Sequence, residues 1–275
     1  MPDEASITPV DGTSSGARNR AARQAVPRFP GIEFVPRNLA RPVSADVVQP
    51  QSGELLLWRF RPEWQAISRG DGYTRLSNAE LARVRNHPNP ALGKRFAVSR
   101  VVLREILSGI TDCPPDDVEL ADDAQGRPRL LRAGQPSPLS IAVAYAGIWI
   151  LVGVSTSAIG LATHVPTLSD SRGAALSART RTVAQPTTKN LADVQSRVRH
   201  ASLVDAAGKV MLDADDQLLC RSDKDFVVDT PEGRHWHILD LPMPGAICAA
   251  AALAQPISRI HAFGWIGRDG WLLAR

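Results

Sequence analysis

Seven basic side chains fall within residues 75–104: Arg75, Arg83, Arg85, Lys94, Arg95, Arg100 and Arg104, against the one acid Glu80. Residues 112–123 reverse the sign, with six acids and no base before Arg127. Guanidinium and ammonium groups gathered in this way can hold phosphate oxygens, through bidentate hydrogen bonds or as point charges. Segregated charge also focuses a field toward an anionic ligand. Taken as a charge run alone, the pattern reads as a solvated helix face beside an acidic loop. A turn, Gly126-Arg127-Pro128, adds a base where the backbone is tightly folded. Farther on, residues 148–164 carry no acid at all (IWILVGVSTSAIGLATH), and their polar end is His164.

Other chemistries find little support. The chain has no G-x-S-x-G elbow, no phosphate-binding loop signature and no Cys/His metal spacing. Cys113, Cys220 and Cys248 are scattered and odd in number, which argues for core or loop thiols rather than disulfides. His235 and His237 share one strand face, a weak metal hint without a third partner. Net charge is +4, but aromatics make up 5% of the chain and no nucleic-acid reading module is present, so nucleic acid is not an expected partner. The apolar run from Ile148 to Val154 is far too short to span a bilayer. No positive-then-apolar leader pattern opens the chain, so a cytoplasmic location is expected.

The elements that must position these residues follow from periodicity and punctuation. With 275 residues, 44% of them hydrophobic, the chain can bury one large core or two small ones. Residues 1–50 are rich in Ser, Ala, Pro and Arg, with no apolar period, and read as a flexible leader, with order expected from about Gly31. Leu55–Phe60 reads as the first strand. Ser77-Asn78-Ala79-Glu80 is a capping box opening a short helix to about Asn86. Residues 91–108 place Leu92, Phe96, Leu103, Ile106 and Leu107 on one helical stripe, with Gly109 as the helix end. On this helix Lys94, Arg95, Arg100 and Arg104 project from the other faces. Ile141 to Val154, broken at Gly147, reads as a hairpin of buried strands, and Ile159 to Val165 as another strand. A second long helix is predicted from Thr187 to about Ala207, with Leu191, Val194, Val198 and Ala201 on its stripe. Strand signals follow at Val210–Leu212, Phe226–Val228, His235–Leu239 and Ala246–Leu253. The order predicts an α+β fold.

Lys94-Arg95-Phe96, Arg100, Leu103-Arg104 and Leu107 together resemble the K-R-F-x-x-x-R-x-x-L-R-x-x-L helix of surfactin-type 4′-phosphopantetheinyl transferases. Gly126-Arg127-Pro128 resembles their G-[KR]-P turn. Val152-Gly153-Val154-Ser155 with Ile159-Gly160 resembles their V-A-V-S…I-G-V-D-x-E strand pair. Ala206-Ala207-Gly208-Lys209 resembles the end of their long helix, and the stretch from His235 to Ala252 their closing hairpin. The resemblance covers roughly residues 55–255. It implies an α+β pseudo-dimer of two lobes, each a long helix packed on a small sheet: a leader over 1–50, an N-terminal lobe with the basic helix over 51–165, and a C-terminal lobe over 166–275. It implies coenzyme A as donor, an acyl or peptidyl carrier protein as acceptor, and Lys94, Arg95, Arg100, Arg127 and Lys209 as the residues that hold the nucleotide phosphates.

The resemblance also shows where this chain departs. The family's S-H-S slot holds Ala144-Tyr145-Ala146, its D-x-E slot holds Ala162-Thr163-His164, and its K-E-A slot holds His200-Ala201-Ser202. Every carboxylate that would bind magnesium in the family is replaced. Imidazole is a poor substitute, because magnesium prefers oxygen ligands. No metal ligand and no catalytic residue is therefore assigned. The expectation is a degenerate member that keeps the coenzyme A or carrier-protein surface. The alternative is an active transferase drawing carboxylates from Asp170, Asp193 or Asp205.

Overall fold

The computed structural model describes residues 31–266 apart from 41–42, 45–46, 66, 68–72, 167–187, 208–218, 223–224 and 230–234. Its core is built in four layers, helix on sheet on sheet on helix. The first sheet contains β1 (Glu33–Asn38), β2 (Glu54–Phe60), β6 (Ser140–Ala146), β7 (Trp149–Ser155) and β13 (Arg259–Ile266), in the order β1-β13-β2-β7-β6. The second contains β8 (Ile159–His164), β9 (Leu219–Ser222), β10 (Asp225–Asp229), β11 (His235–Asp240) and β12 (Cys248–Leu253), in the order β8-β12-β11-β10-β9. A small third sheet joins β3 (Glu119–Asp122), β4 (Pro128–Arg132) and β5 (Gln135–Pro136). The described α-helices are α1 (Asn78–Arg85), α2 (Pro90–Thr111) and α3 (Thr188–Ala207). This mixture of sheets and helices is compatible with the α+β class.

Alternation of side chains explains the layering. Leu55, Leu57 and Leu151 of the first sheet meet Ile159, Leu161, Leu239 and Ala251 of the second in one buried cluster. The residues between them in sequence, Leu56, Trp58, Ile150, Val152 and Val154, point the other way and pack on Val98, Val102, Leu103 and Ile106 of α2. On the far side of the second sheet, Trp236, Ile238, Ala250 and Ala252 pack on Val194, Val198 and Leu203 of α3. The near-continuous apolar runs of the central strands are thus a consequence of burial on both faces.

Several sequence expectations change in detail. Gly109 does not end α2. The helix continues to Thr111, and Asp112 takes the left-handed position (φ 53°) with its N–H on the Ser108 carbonyl. Gly109 is needed for another reason: a Cβ there would lie 2.7 Å from the Ser44 carbonyl oxygen. Asn89 caps the start, its side chain accepting from the N–H groups of Ala91 (3.0 Å) and Leu92 (3.3 Å). Leu92 is exposed rather than part of the core stripe, and Ala201 likewise faces out of α3. The Ser77–Glu80 capping box is present in full. A strand, β1, lies inside the segment expected as leader, and it pairs in parallel with β13. β8 and β13 each join the sheet opposite to their half of the sequence, so the layers do not follow a cut at residue 165. The expected strand Val210–Leu212 and the side chain of Leu191 lie outside the described residues.

Candidate functional site

The edge strands β6 and β8 meet where the two sheets adjoin, and Thr163 Oγ1 donates to the Tyr145 carbonyl across the seam (2.7 Å). Around this seam stand the N-terminal half of α2, the β6–β7 turn at Gly147, the β3–β4 turn at Gly126-Arg127, and the last turns of α3.

Helix α2 delivers the bases. Lys94 is exposed on it. Arg95 is half-buried, donates to the Gly147 carbonyl, and lies over the Tyr145 ring at 4.7 Å. Burial pulls its guanidinium pKa below the usual value, and the partner ring opposes this. Tyr145 Oη pairs with Ser99 Oγ at 2.7 Å. Burial raises the Tyr145 hydroxyl pKa, while the Ser99 bond and the charges of Arg100, Arg95 and Arg83 pull it back. Arg83 and Arg100 also flank the Phe96 ring, at 4.3 and 5.0 Å.

Arg100 does not project into solvent. It is 4% exposed, paired with Asp122 at 2.7 Å, and reaches the Gly126 carbonyl at 3.5 Å. Its Nη1 is buried without a hydrogen-bond partner. Arg104 is buried as well and forks onto Glu80, at 2.8 and 3.1 Å. Arg75 pairs with Glu105 and Asp116, both at 3.1 Å. The acidic block of the sequence thus meets the basic block through Asp116 and Asp122.

Arg127 is engaged too. Its Nε donates to Asp123 at 2.8 Å, its Nη2 to Gln125 Oε1 at 3.2 Å, and its Nη1 to the backbone carbonyl of Asp205 on α3. Burial would raise the Asp123 pKa, but bonds from Arg127 and from the Gln125 backbone hold it below the ordinary range. The turn is thereby pinned to the end of α3. Lys209 lies outside the described residues.

The slots that carry carboxylates in the resembled family face α3. Gly160, Ala162 and His164 alternate onto that side of β8, and Ala162 packs beside the Val194–Val198–Leu203 cluster. A Cβ at Gly160 would overlap the Ser202 carbonyl and the Ala206 amide, so α3 sits directly on the strand. On α3 itself His200 and Ala201 are exposed. Among the described residues, no three His, Cys, Asp or Glu side chains gather to hold a metal.

Of the three acids proposed as substitutes, Asp193 is exposed and Asp170 lies outside the described residues. Asp205 is at the seam, its Oδ2 accepting from the Leu161 N–H at 3.0 Å. Burial raises its pKa, opposed by the Leu161 bond and the Arg127 charge and reinforced by Asp123. Tyr145, Ser99 and Arg83 are not among the residues assigned a role from the sequence. The signal for Tyr145 was its place in the S-H-S slot. Arg83 was marked only as a member of the basic block, and Ser99 carried no signal.

No family model matches the chain. A protein of Synechocystis sp. named "Putative 4′-phosphopantetheinyl transferase" is 35% identical over 81 residues, 30% of this chain and 32% of that protein. The chain matches about a third of that relative's length. The similarity supports the phosphopantetheinyl transferase superfamily, at the level of kinship. No described helix is long and apolar enough to cross a membrane.

Proposed function

We propose that this chain is a 4′-phosphopantetheinyl transferase-like protein that binds coenzyme A and a carrier protein but transfers poorly or not at all. In this reading its two helix-on-sheet units are the two lobes of a pseudo-dimer. The observation that carries the proposal is a contrast at one seam: Arg95 lies over the Tyr145 ring, with Arg83 and Arg100 against Phe96 beside it, while the neighbouring slots hold Ala162, His164 and Ala201. Lys94, exposed on α2, and Arg95 beside it supply charge for phosphate oxygens. Arg127 contributes by fixing the turn, and Lys209 is the remaining candidate contact.

A carrier-protein surface is supported by apolar side chains beside these bases. Ile148 is 50% exposed, Val165 42% and Leu92 38%, near the Gly147 turn to which Arg95 is bonded. Apolar contacts ringed by bases suit a partner with an acidic, partly apolar face.

Asp205 favours a second reading, an active transferase. A carboxyl with a raised pKa beside Arg127 has the character of a general base. Incubation of the full chain with coenzyme A, magnesium and an apo carrier protein separates the two. The proposal expects the carrier's mass to stay unchanged. Addition of the phosphopantetheine arm at enzyme-like rates, lost on Asp205→Asn, would replace it with the second reading.

A further inference from the structure

A cavity lies away from this seam, at the β1-β13-β2 side of the first sheet, three strands from β6. It has a volume of about 220 Å³ and is lined by Arg37, Gln49, Gln51, Leu56, His261 and Phe263 among others. The parallel register places Arg37 beside Phe263, and Val35 and Leu56 on either side of His261, so these side chains share one face of the sheet.

Arg37 is the unusual member. Its guanidinium lies over the Phe263 ring at 5.7 Å and its Nη2 reaches His261 Nδ1 at 3.3 Å. Its Nε is buried with no hydrogen-bond partner. Among the described residues no carboxylate pairs with it. The nearest acid, Glu54, is committed elsewhere: it accepts from the Gln51 N–H at 3.1 Å, pairs with Arg259 at 3.4 Å, and faces His261 Nε2 at 3.7 Å. Arginine can only donate, so Nδ1 of His261 accepts and the ring is neutral in this arrangement. Burial, and then the Arg37 charge, lower the His261 pKa in the same sense. Arg37, with no carboxylate paired to it among the described residues, therefore looks into a cavity whose other walls are two amides, the committed carboxylate of Glu54, the His261 and Phe263 rings and aliphatic carbon.

We infer that this cavity binds a small monocarboxylate with a compact apolar body, its carboxylate on Arg37 and its body against Phe263 and Leu56. Planar guanidinium matches a carboxylate bidentately. The amides of Gln49 and Gln51 add donors. A dianion such as phosphate is disfavoured, because Glu54 sits at the same wall and His261 brings no charge. The volume lies below the roughly 300 Å³ that marks the lower end of drug-sized pockets, so the ligand is small.

The test is calorimetric titration of the full chain with benzoate, hexanoate, benzamide and inorganic phosphate. Saturable binding of benzoate or hexanoate is expected, with benzamide and phosphate weaker by about tenfold or more. Arg37→Met should weaken the carboxylate by a similar factor. Val48, which lines the mouth and is 75% exposed, offers a variant that leaves the core untouched: Val48→Trp should block entry. Lys94→Ala, at the other site, should leave the titration unchanged. The inference is overturned if neither carboxylate saturates, if phosphate binds as tightly as they do, or if folded Arg37→Met and Val48→Trp both bind like the parent.

Discussion

Glu80→Ala is expected to lose about 3–5 kcal/mol of stability, the typical cost of removing one partner from a buried ion pair. Glu80 is 6% exposed and Arg104 is 5% exposed, so neither charge can turn to water when the other is deleted. Arg104 makes two contacts to this one carboxylate, at 2.8 and 3.1 Å, and Arg100 stands 3.9 Å from it. Arg100 keeps Asp122 in the variant, whereas Arg104 keeps only the Arg100 carbonyl at 3.4 Å. The same carboxylate also accepts from the Ser77 N–H at 2.8 Å, so α1 loses half of its capping box. Glu80→Gln retains the cap and the hydrogen-bond geometry and should cost less. Urea unfolding of the two variants checks this; a loss under about 1 kcal/mol for Glu80→Ala would show that the arginines find other partners.

Gly264→Ala is the second large effect, on the order of 3 kcal/mol. The residue combines a positive φ of 85° with a site where an added Cβ would overlap the Arg59 carbonyl oxygen. A left-handed alanine costs roughly 1–2 kcal/mol, and overpacking a filled core typically another 1–3 kcal/mol. The register of β13 against β1 shifts next to this glycine, between Arg37 and Asn38, as expected of a bulge. The bulge has a purpose in packing. It brings the Gly264 carbonyl to 3.0 Å from Arg59 Nη2 and sets Trp265 4.5 Å from the same guanidinium, with Trp149 at 5.2 Å. Burial, with the Arg61 charge, pulls the Arg59 pKa down to about 9, so this cation depends on its carbonyl and aromatic neighbours. Gly153→Ala makes a useful control. Its new Cβ would meet the ends of Ile159 and Leu161, at 2.7 and 3.2 Å, and flexible side-chain ends yield more cheaply than backbone. Comparable losses in thermal unfolding of the two variants would contradict the account.

These two sites also mark what the sequence made legible. Helices with local punctuation were readable: the Ser77–Glu80 box opens α1 where expected, and α3 runs Thr188–Ala207 against a prediction of 187–207. The hairpin around Gly147 was readable because two apolar runs flank one positive-φ glycine. The parallel β1–β13 pair was not, since its partners stand more than two hundred residues apart and nothing local records the pairing. The charge blocks were visible as composition, but their meaning depended on tertiary contact. Arg100 and Arg104 read as solvated because long polar side chains usually are; only the fold brings Asp122 and Glu80 to them. In the same way, the absence of acids at 162, 164 and 201 was plain in the sequence, while the approach of Asp205 to Leu161 required α3 to dock on Gly160.

The proposed reading, coenzyme A held by Lys94 and Arg95 without magnesium, makes one prediction that no structural role would mimic. Calorimetry of the parent protein with coenzyme A should show binding that weakens with salt and is the same in magnesium and in a chelator. The double variant Lys94→Ala/Arg95→Ala should bind about ten- to a hundredfold more weakly, the loss of one charge-assisted hydrogen bond or more. Binding that appears only when magnesium is added, or none at all in the parent, would contradict the account.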